Sequence, residues 1–183
     1  RQVFNSLMVF AAGGSLAALY DKNHLVPFGE YLPLQPVLEA VGVTQLVRMP
    51  GGFASGARPR PLMRVPGLPP VSPLVCYEAI FPGAIVQGPE RPGLMINVTN
   101  DGWFGRMTGP YQHLQQGRVR AVEKGVPMIR AANNGVSAVV DAYGRVLDRL
   151  ELDERGAIDS ALPGAVQQPF TSRSGEGAFV ALV

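Results

Sequence analysis

Two short apolar runs near the middle of the chain restrict the fold more than anything else in it. Residues 71–76 read VSPLVC and residues 93–98 read GLMINV. Neither alternates apolar with polar residues, so neither suits a strand with one wet face. Both suit strands buried on two faces, as in a covered parallel sheet. Each also stops abruptly, the first in a turn at Tyr77-Glu78 and the second in TNDGWFG. Residues 110–124 then predict a helix. Pro110 suits its first turn, Leu114, Ala121 and Val122 form an apolar stripe flanked by Tyr111 and Arg118, and Gly125 and Pro127 end it. Strands follow at 128–132, 136–141 and 145–150, with turns at 133–135 and 142–144. Strands alternating with helices and closing in hairpins predict an α/β fold with a sheet packed on helices.

The flanks carry weaker signals. Residues 4–10 and 15–20 read as a β-hairpin across 11–14. Residues 21–33, DKNHLVPFGEYLP, read as an ordered loop, because Pro27, Gly29 and Pro33 forbid a regular helix. A short helix is expected at 34–41, a long loop at 49–61, a short strand at 62–65 and a short helix after Cys76 reaching about Gln87. A loop as long as 49–61 reads as a lid or binding loop or as a variable linker. Residues 170–177 read as a surface segment. Gly 22 and Pro 17 in 183 residues fit so many turns. A chain with 46% hydrophobic and 16% charged residues can bury the core of one domain. Net charge is +2 with scattered arginines, which gives no basic stripe for nucleic acid. The longest apolar stretch, 6–20, is broken by Gly13-Gly14 and is too short to span a bilayer.

Cys76 is the single cysteine. It reads either as a buried structural thiol or as a nucleophile presented where a strand turns into a helix start. A thiol needs a base or a cation beside it to react at neutral pH. Lys22 supplies a cation that could also stabilise an oxyanion. Glu30 and Glu78 could orient Lys22 or move a proton. Trp103 and Phe104 follow the second buried strand, where α/β sheets bind ligands, though they could equally be an aromatic plug. Two histidines, His24 and His113, make a histidine-rich metal centre untenable. There is no phosphate-loop motif, no paired-cysteine metal site and no GxSxG. No cofactor and no metal are expected.

Four stretches in order, YDKNHLVPFGEYLP, VCYEAIFP, NVTNDGWFG with GPYQH, and RAANNGVSAVVDAYG, resemble the carbon–nitrogen hydrolase (nitrilase) superfamily. Within it they are similar to the apolipoprotein N-acyltransferases, over residues 4 to about 177. The resemblance implies an α-β-β-α sandwich and a Glu-Lys-Cys catalytic set. By motif, the lysine falls on Lys22 and the nucleophile on Cys76. Glu30 and Glu78 match two further glutamates important to the site. The Tyr77 backbone N–H would join Lys22 in an oxyanion hole, and Trp103 would line the mouth. The implied reaction moves a fatty acyl chain from a phospholipid, through a cysteine thioester, to the N-terminal diacylglyceryl cysteine of an apolipoprotein. The implied location is the bacterial inner membrane, with this domain facing the periplasm and held by membrane helices outside this sequence.

The family's general-base glutamate lies upstream of FNSLMVF, whereas no acidic residue precedes Asp21 here. Residues 1–183 are therefore expected to be a partial carbon–nitrogen hydrolase domain, lacking its first strand-helix unit and the membrane helices, and inactive or nearly so alone. An exposed sheet edge, with poor solubility or dimerisation, is expected to follow. The terminal GAFVALV looks like the start of a membrane helix. Two other readings compete: a soluble nitrilase-type amidase acting on a small carboxamide, and a non-catalytic α/β binding module.

Overall fold

The computed structural model describes residues 2–42 and 52–170. Two sheets and one long helix stack in layers. Strands β1 (Ser6–Phe10) and β2 (Leu16–Asp21) form an antiparallel hairpin, as the sequence pattern implies. Its turn closes through Ala11 N–H to Ser15 O at 2.9 Å, with Gly14 at φ +80°. That left-handed backbone is cheap only for glycine. Helix α1 (Gln35–Ala40) is a single short turn-rich segment.

The second sheet has the order β3-β4-β5-β6-β7. Strands β3 (Val71–Val75), β4 (Leu94–Asn100) and β5 (Met128–Asn133) are parallel. Strands β6 (Ser137–Val140) and β7 (Val146–Leu150) continue it antiparallel. All five residues of β3 are buried, the outcome its uniform apolarity dictates. Alternate residues serve opposite layers. Val71, Val75 and Leu94 pack with Leu7 and Tyr20 of the hairpin. Leu74, Met95 and Met128 point the other way and pack with Leu114 and Ala121 of helix α2 (Gly109–Lys124).

Helix α2 starts with Pro110 and ends at Gly125, whose φ of +61° and N–H to Val122 O make a left-handed C-cap. Its buried stripe differs from the expected one. Val122 is exposed, and His113, Gly117 and Arg120 are buried beside Leu114 and Ala121. The stripe is partly polar because His113 meets Asp101 and Arg130, and Arg120 donates to Ile80 O.

Two other expectations need correction. The segment at 62–65 is not a strand: Met63 alone bridges to Val71. The helix after Cys76 is two 3₁₀ turns, Cys76–Ile80 and Pro82–Ala84, because Pro82 lacks the N–H needed to continue a helix. Residues 49–51 of the long loop and 171–177 of the surface segment lie outside the described residues.

Leu74 is fully buried where β3 meets α2. Leu74→Ala should lower the unfolding free energy by about 2–5 kcal/mol, read by denaturant titration.

Candidate active site

The parallel strands β3 and β4 end on the same side, and the candidate site lies there. At the end of β3 the chain passes directly into a 3₁₀ turn that begins at Cys76. Cys76 adopts φ +53°, a left-handed backbone that costs a non-glycine residue about 1–3 kcal/mol. The thiol is free and only partly buried. Two hydrogen-bonded sets hold this strained turn.

The first set is centred on Glu78, which is fully buried. Its Oε2 accepts the Val75 N–H at 2.8 Å, closing the turn locally. Its Oε1 accepts the backbone N–H groups of Asn23 and His24 at 3.0 and 2.9 Å. The Tyr20 hydroxyl donates at 2.8 Å and Arg60 Nη2 at 2.7 Å. One carboxylate thereby ties the residue before the nucleophile to the two residues after Lys22. Burial and the adjacent carboxylate push the Tyr20 hydroxyl above its ordinary value, so it stays a proton donor.

The second set lies on the α2 side. Asn97 faces Leu74 across the parallel ladder. Its Nδ2 donates to Leu74 O at 3.1 Å and Cys76 O at 3.2 Å, gripping the carbonyls on either side of Val75. Arg130 donates to Asn97 Oδ1, to Val136 O at 3.2 Å and to Asp101 Oδ2 at 2.5 Å. Asp101 also accepts from Thr99 at 3.0 Å and meets His113 Nδ1 at 2.9 Å. A Cβ at Gly135 would stand 2.3 Å from Asp101 Oδ2, so only glycine fits there. Burial pulls Arg130 below the ordinary arginine value, while Asp101 and the Cys76 sulfur work in the opposite direction.

Lys22 follows β2 and is 1% exposed. Its Nζ lies 2.6 Å from Glu30 Oε2. Glu30 also accepts the Val26 N–H at 2.9 Å and Asn5 Nδ2 at 2.9 Å, which fixes the ammonium's partner. Glu30 rather than Glu78 therefore orients Lys22. Phe53 and Gly56 clip the following segment onto this loop through backbone bonds to Glu30 O and Lys22 O.

Lys22, Glu30, Cys76, Tyr77 and Trp103 all line one cavity of about 810 Å³. Glu78 does not line it and lies beneath. The remaining wall is largely apolar, including Val26, Phe53, Val98 and Phe104. The Tyr77 ring is held by Phe104 and His113, with centroids 5.9 and 5.6 Å away. Trp103 is 64% exposed at the rim, so it does not plug the sheet end.

The sequence did not single out Tyr20, Arg60, Asn97, Asp101 or Arg130. Polar residues inside runs that otherwise read as core, Asn97 in LMINV and Arg130 in MIRAA, were the available signal.

Two outcomes test these sets. Glu78→Gln removes the buried charge that pairs with Arg60 and should cost about 3–5 kcal/mol of stability, read by thermal and denaturant unfolding. The Asp101 prediction concerns acid. Burial alone would raise its carboxyl, but the His113 hydrogen bond, the Arg130 charge and the Thr99 hydroxyl hold it below the usual carboxylate range. A depressed carboxyl stabilises the fold above its unfolded value of about 3.9, and that contribution is lost as pH falls through the folded value. Asp101→Asn should therefore lower stability at neutral pH and flatten the acid loss, measured by unfolding between about pH 3 and pH 7.

Comparison with known proteins places this geometry. The chain is 51% identical over 175 residues to an apolipoprotein N-acyltransferase of Rhodopseudomonas palustris, covering 96% of this chain and 32% of that protein. It is 50% identical over 175 residues to one from Bradyrhizobium diazoefficiens, with the same two coverages. The chain thus spans about a third of the length of these curated relatives. A Helicobacter pylori carbon–nitrogen hydrolase superposes with TM-score 0.57 at 19% identity, over 81% of this chain and 52% of that one. A Nesterenkonia amidase of the nitrilase superfamily gives 0.56 at 21% identity, over 97% of this chain and 60% of that one. These two superpositions show the shared α/β fold. The carbon–nitrogen hydrolase family model matches residues 1–168, and the chain belongs to that family.

Proposed function

We propose that this domain performs acyl transfer through a thioester on Cys76, in a protein that matures bacterial lipoproteins at the inner membrane. The observation that carries the reading is the shared cavity. A lone thiol on a strained turn and a fixed lysine open into one space of about 810 Å³ with mostly apolar walls. The curated relatives bearing the acyltransferase name support the same reading.

The Cys76 thiolate attacks the ester carbonyl of a phospholipid. Negative charge moves onto the carbonyl oxygen, and the Lys22 ammonium and the Tyr77 backbone N–H stabilise it. The tetrahedral intermediate collapses by breaking the bond to the glycerol oxygen, which takes up the proton given up by the Cys76 thiol and leaves as lysophospholipid. The α-amino group of the diacylglyceryl cysteine of an apolipoprotein then attacks the thioester. The amide bond forms, the amine loses a proton and the thiolate is regenerated. The hydrogen bonds at Glu30 favour a positioning role for it over proton transfer, and Glu78 serves as a clamp. The acyl chain runs along Val26, Phe53, Val98 and Phe104 toward Trp103.

A small carboxamide would leave most of this apolar volume unfilled, which disfavours the amidase reading. A binding module has no use for a strained cysteine beside a paired lysine. No helix among the described residues is long and apolar enough to cross a membrane. Membrane attachment with this domain on the periplasmic side is therefore part of the proposal.

Thioester trapping in the full-length gene product tests it. Incubation with a labelled phospholipid should give a hydroxylamine-sensitive acyl adduct on Cys76. Cys76→Ser should abolish that adduct, and Lys22→Ala should slow its formation by about 10²–10³-fold. An adduct that persists in Cys76→Ser, or none in the parent protein, refutes the reading.

A further inference from the structure

A second cavity of about 440 Å³ lies beside the first and shares its Phe53 wall. Its polar lining differs in kind. Arg58, His24 and Tyr31 face it, with Leu25, Pro27 and Phe53 as apolar sides. Among the described residues, no carboxylate lines it. The cations around it are not equivalent. Lys22 is neutralised by Glu30 and Arg60 by Glu78. Arg58 is exposed and has no carboxylate partner among the described residues.

His24 is fixed by its backbone bond to Glu78 and by its ring, stacked on Phe81 with centroids 3.9 Å apart. Burial, with Arg58, Arg60 and Lys22 nearby, lowers its basicity, so near neutral pH it is a neutral donor. The Ser55 hydroxyl donates to Asn23 O at 2.6 Å. Besides that hydroxyl and the Asn23 amide, which donates to Ala57 O, the side-chain donors lining the cavity are the Arg58 guanidinium, the His24 imidazole and the Tyr31 phenol.

We infer that this second cavity is an anion subsite that holds the phosphodiester of the acyl donor while its ester carbonyl lies at Cys76. The inference rests on the acyl-transfer reading and adds the group by which the donor is recognised. A guanidinium can pair with two phosphate oxygens through parallel N–H bonds, and charge-assisted bonds of this kind are the strong ones. The phosphate of a glycerophospholipid stands only a few bonds from its scissile ester. The two cavities, one with the thiol and largely apolar walls and one with the guanidinium, share Phe53, so a single donor molecule would reach from one to the other across that residue. The same chemistry could bind free phosphate, so the test separates the two sources.

The test uses the full-length gene product in mixed micelles. It compares acyl-enzyme formation from a phospholipid with that from p-nitrophenyl palmitate, an activated ester with no headgroup. Arg58→Gln and Arg58→Glu should lower the ratio of the two kcat/KM values by about ten- to a hundredfold, and Arg58→Lys should restore part of it. Arg58 is exposed, so these variants are expected to fold as the parent does, and their melting temperatures check this. If both esters acylate Cys76 and the ratio is unchanged in Arg58→Gln and Arg58→Glu, the subsite is refuted and the acyl-transfer reading stands. If neither ester acylates Cys76 in the parent protein, the acyl-transfer reading fails and the subsite with it. Inorganic phosphate provides the other arm. Saturable ³¹P line broadening at sub-millimolar phosphate, lost in Arg58→Gln, would assign the cavity to free phosphate and overturn the headgroup assignment. Competition with phospholipid only at high phosphate concentration supports it.

Discussion

The buried Glu78 carboxylate is the constraint on which the candidate site depends. Taking a carboxylate out of water costs several kcal/mol unless its lone pairs are filled. Here they are filled by donors from distant parts of the chain. Val75 is three residues away, Arg60 eighteen, and Asn23 and His24 more than fifty. Hydrogen bonds to a charged group are stronger than neutral ones, and each is lost if its segment moves away. The loop carrying Lys22 and the turn carrying Cys76 thus meet because they share an acceptor that neither can abandon cheaply.

The left-handed backbone of Cys76 is gripped from both layers. Glu78 holds Val75 from the hairpin side. Asn97, backed by Arg130 and Asp101, holds the adjacent carbonyls from the helix side. The strain at one residue is small beside the interactions that enforce it, so it persists. The parallel ladder sets Asn97 opposite Leu74 and thereby aims its amide at both carbonyls. A core that a helix and sheet would ordinarily fill with aliphatic side chains is partly given over to this support. That is why α2 buries His113, which meets Asp101 and Arg130, while the buried Arg120 binds Ile80 O and Glu123 instead.

Much of this was legible in the sequence. The uniform apolarity of 71–76 and 93–98 announced strands covered on both faces, and Pro110 and Gly125 marked the helix ends. Lys22, Glu30, Cys76, Tyr77 and Trp103 were singled out together, and one cavity gathers them. Glu78 was harder to read. Its place two residues after the thiol suggested orienting Lys22 or moving a proton, yet its partners are backbone amides, a phenol and a guanidinium. Sequence proximity reports what a turn can close and says nothing of the loop that arrives from elsewhere. Arg60 was hidden for the same reason, as one arginine among several in a proline-rich loop. Asn97 and Arg130 were visible only as polar interruptions in apolar strands, and the partner that explains each lies on another element.

The pairing of buried charges also decides how the cavity behaves as a medium. Lys22 in the cavity wall, and Arg60 and Arg130 outside that lining, each sit against a carboxylate, so Cys76 is surrounded by paired charges without a large net charge. Under the proposed reaction, an apolar chain would enter without meeting an unpaired buried charge among these three. When charge appears on sulfur or on a carbonyl oxygen, the surrounding groups need not reorient to meet it. For the proposed acyl transfer, the domain would act on its guest as a polar solvent whose molecules have been set in place beforehand, with the cost of ordering them covered by folding.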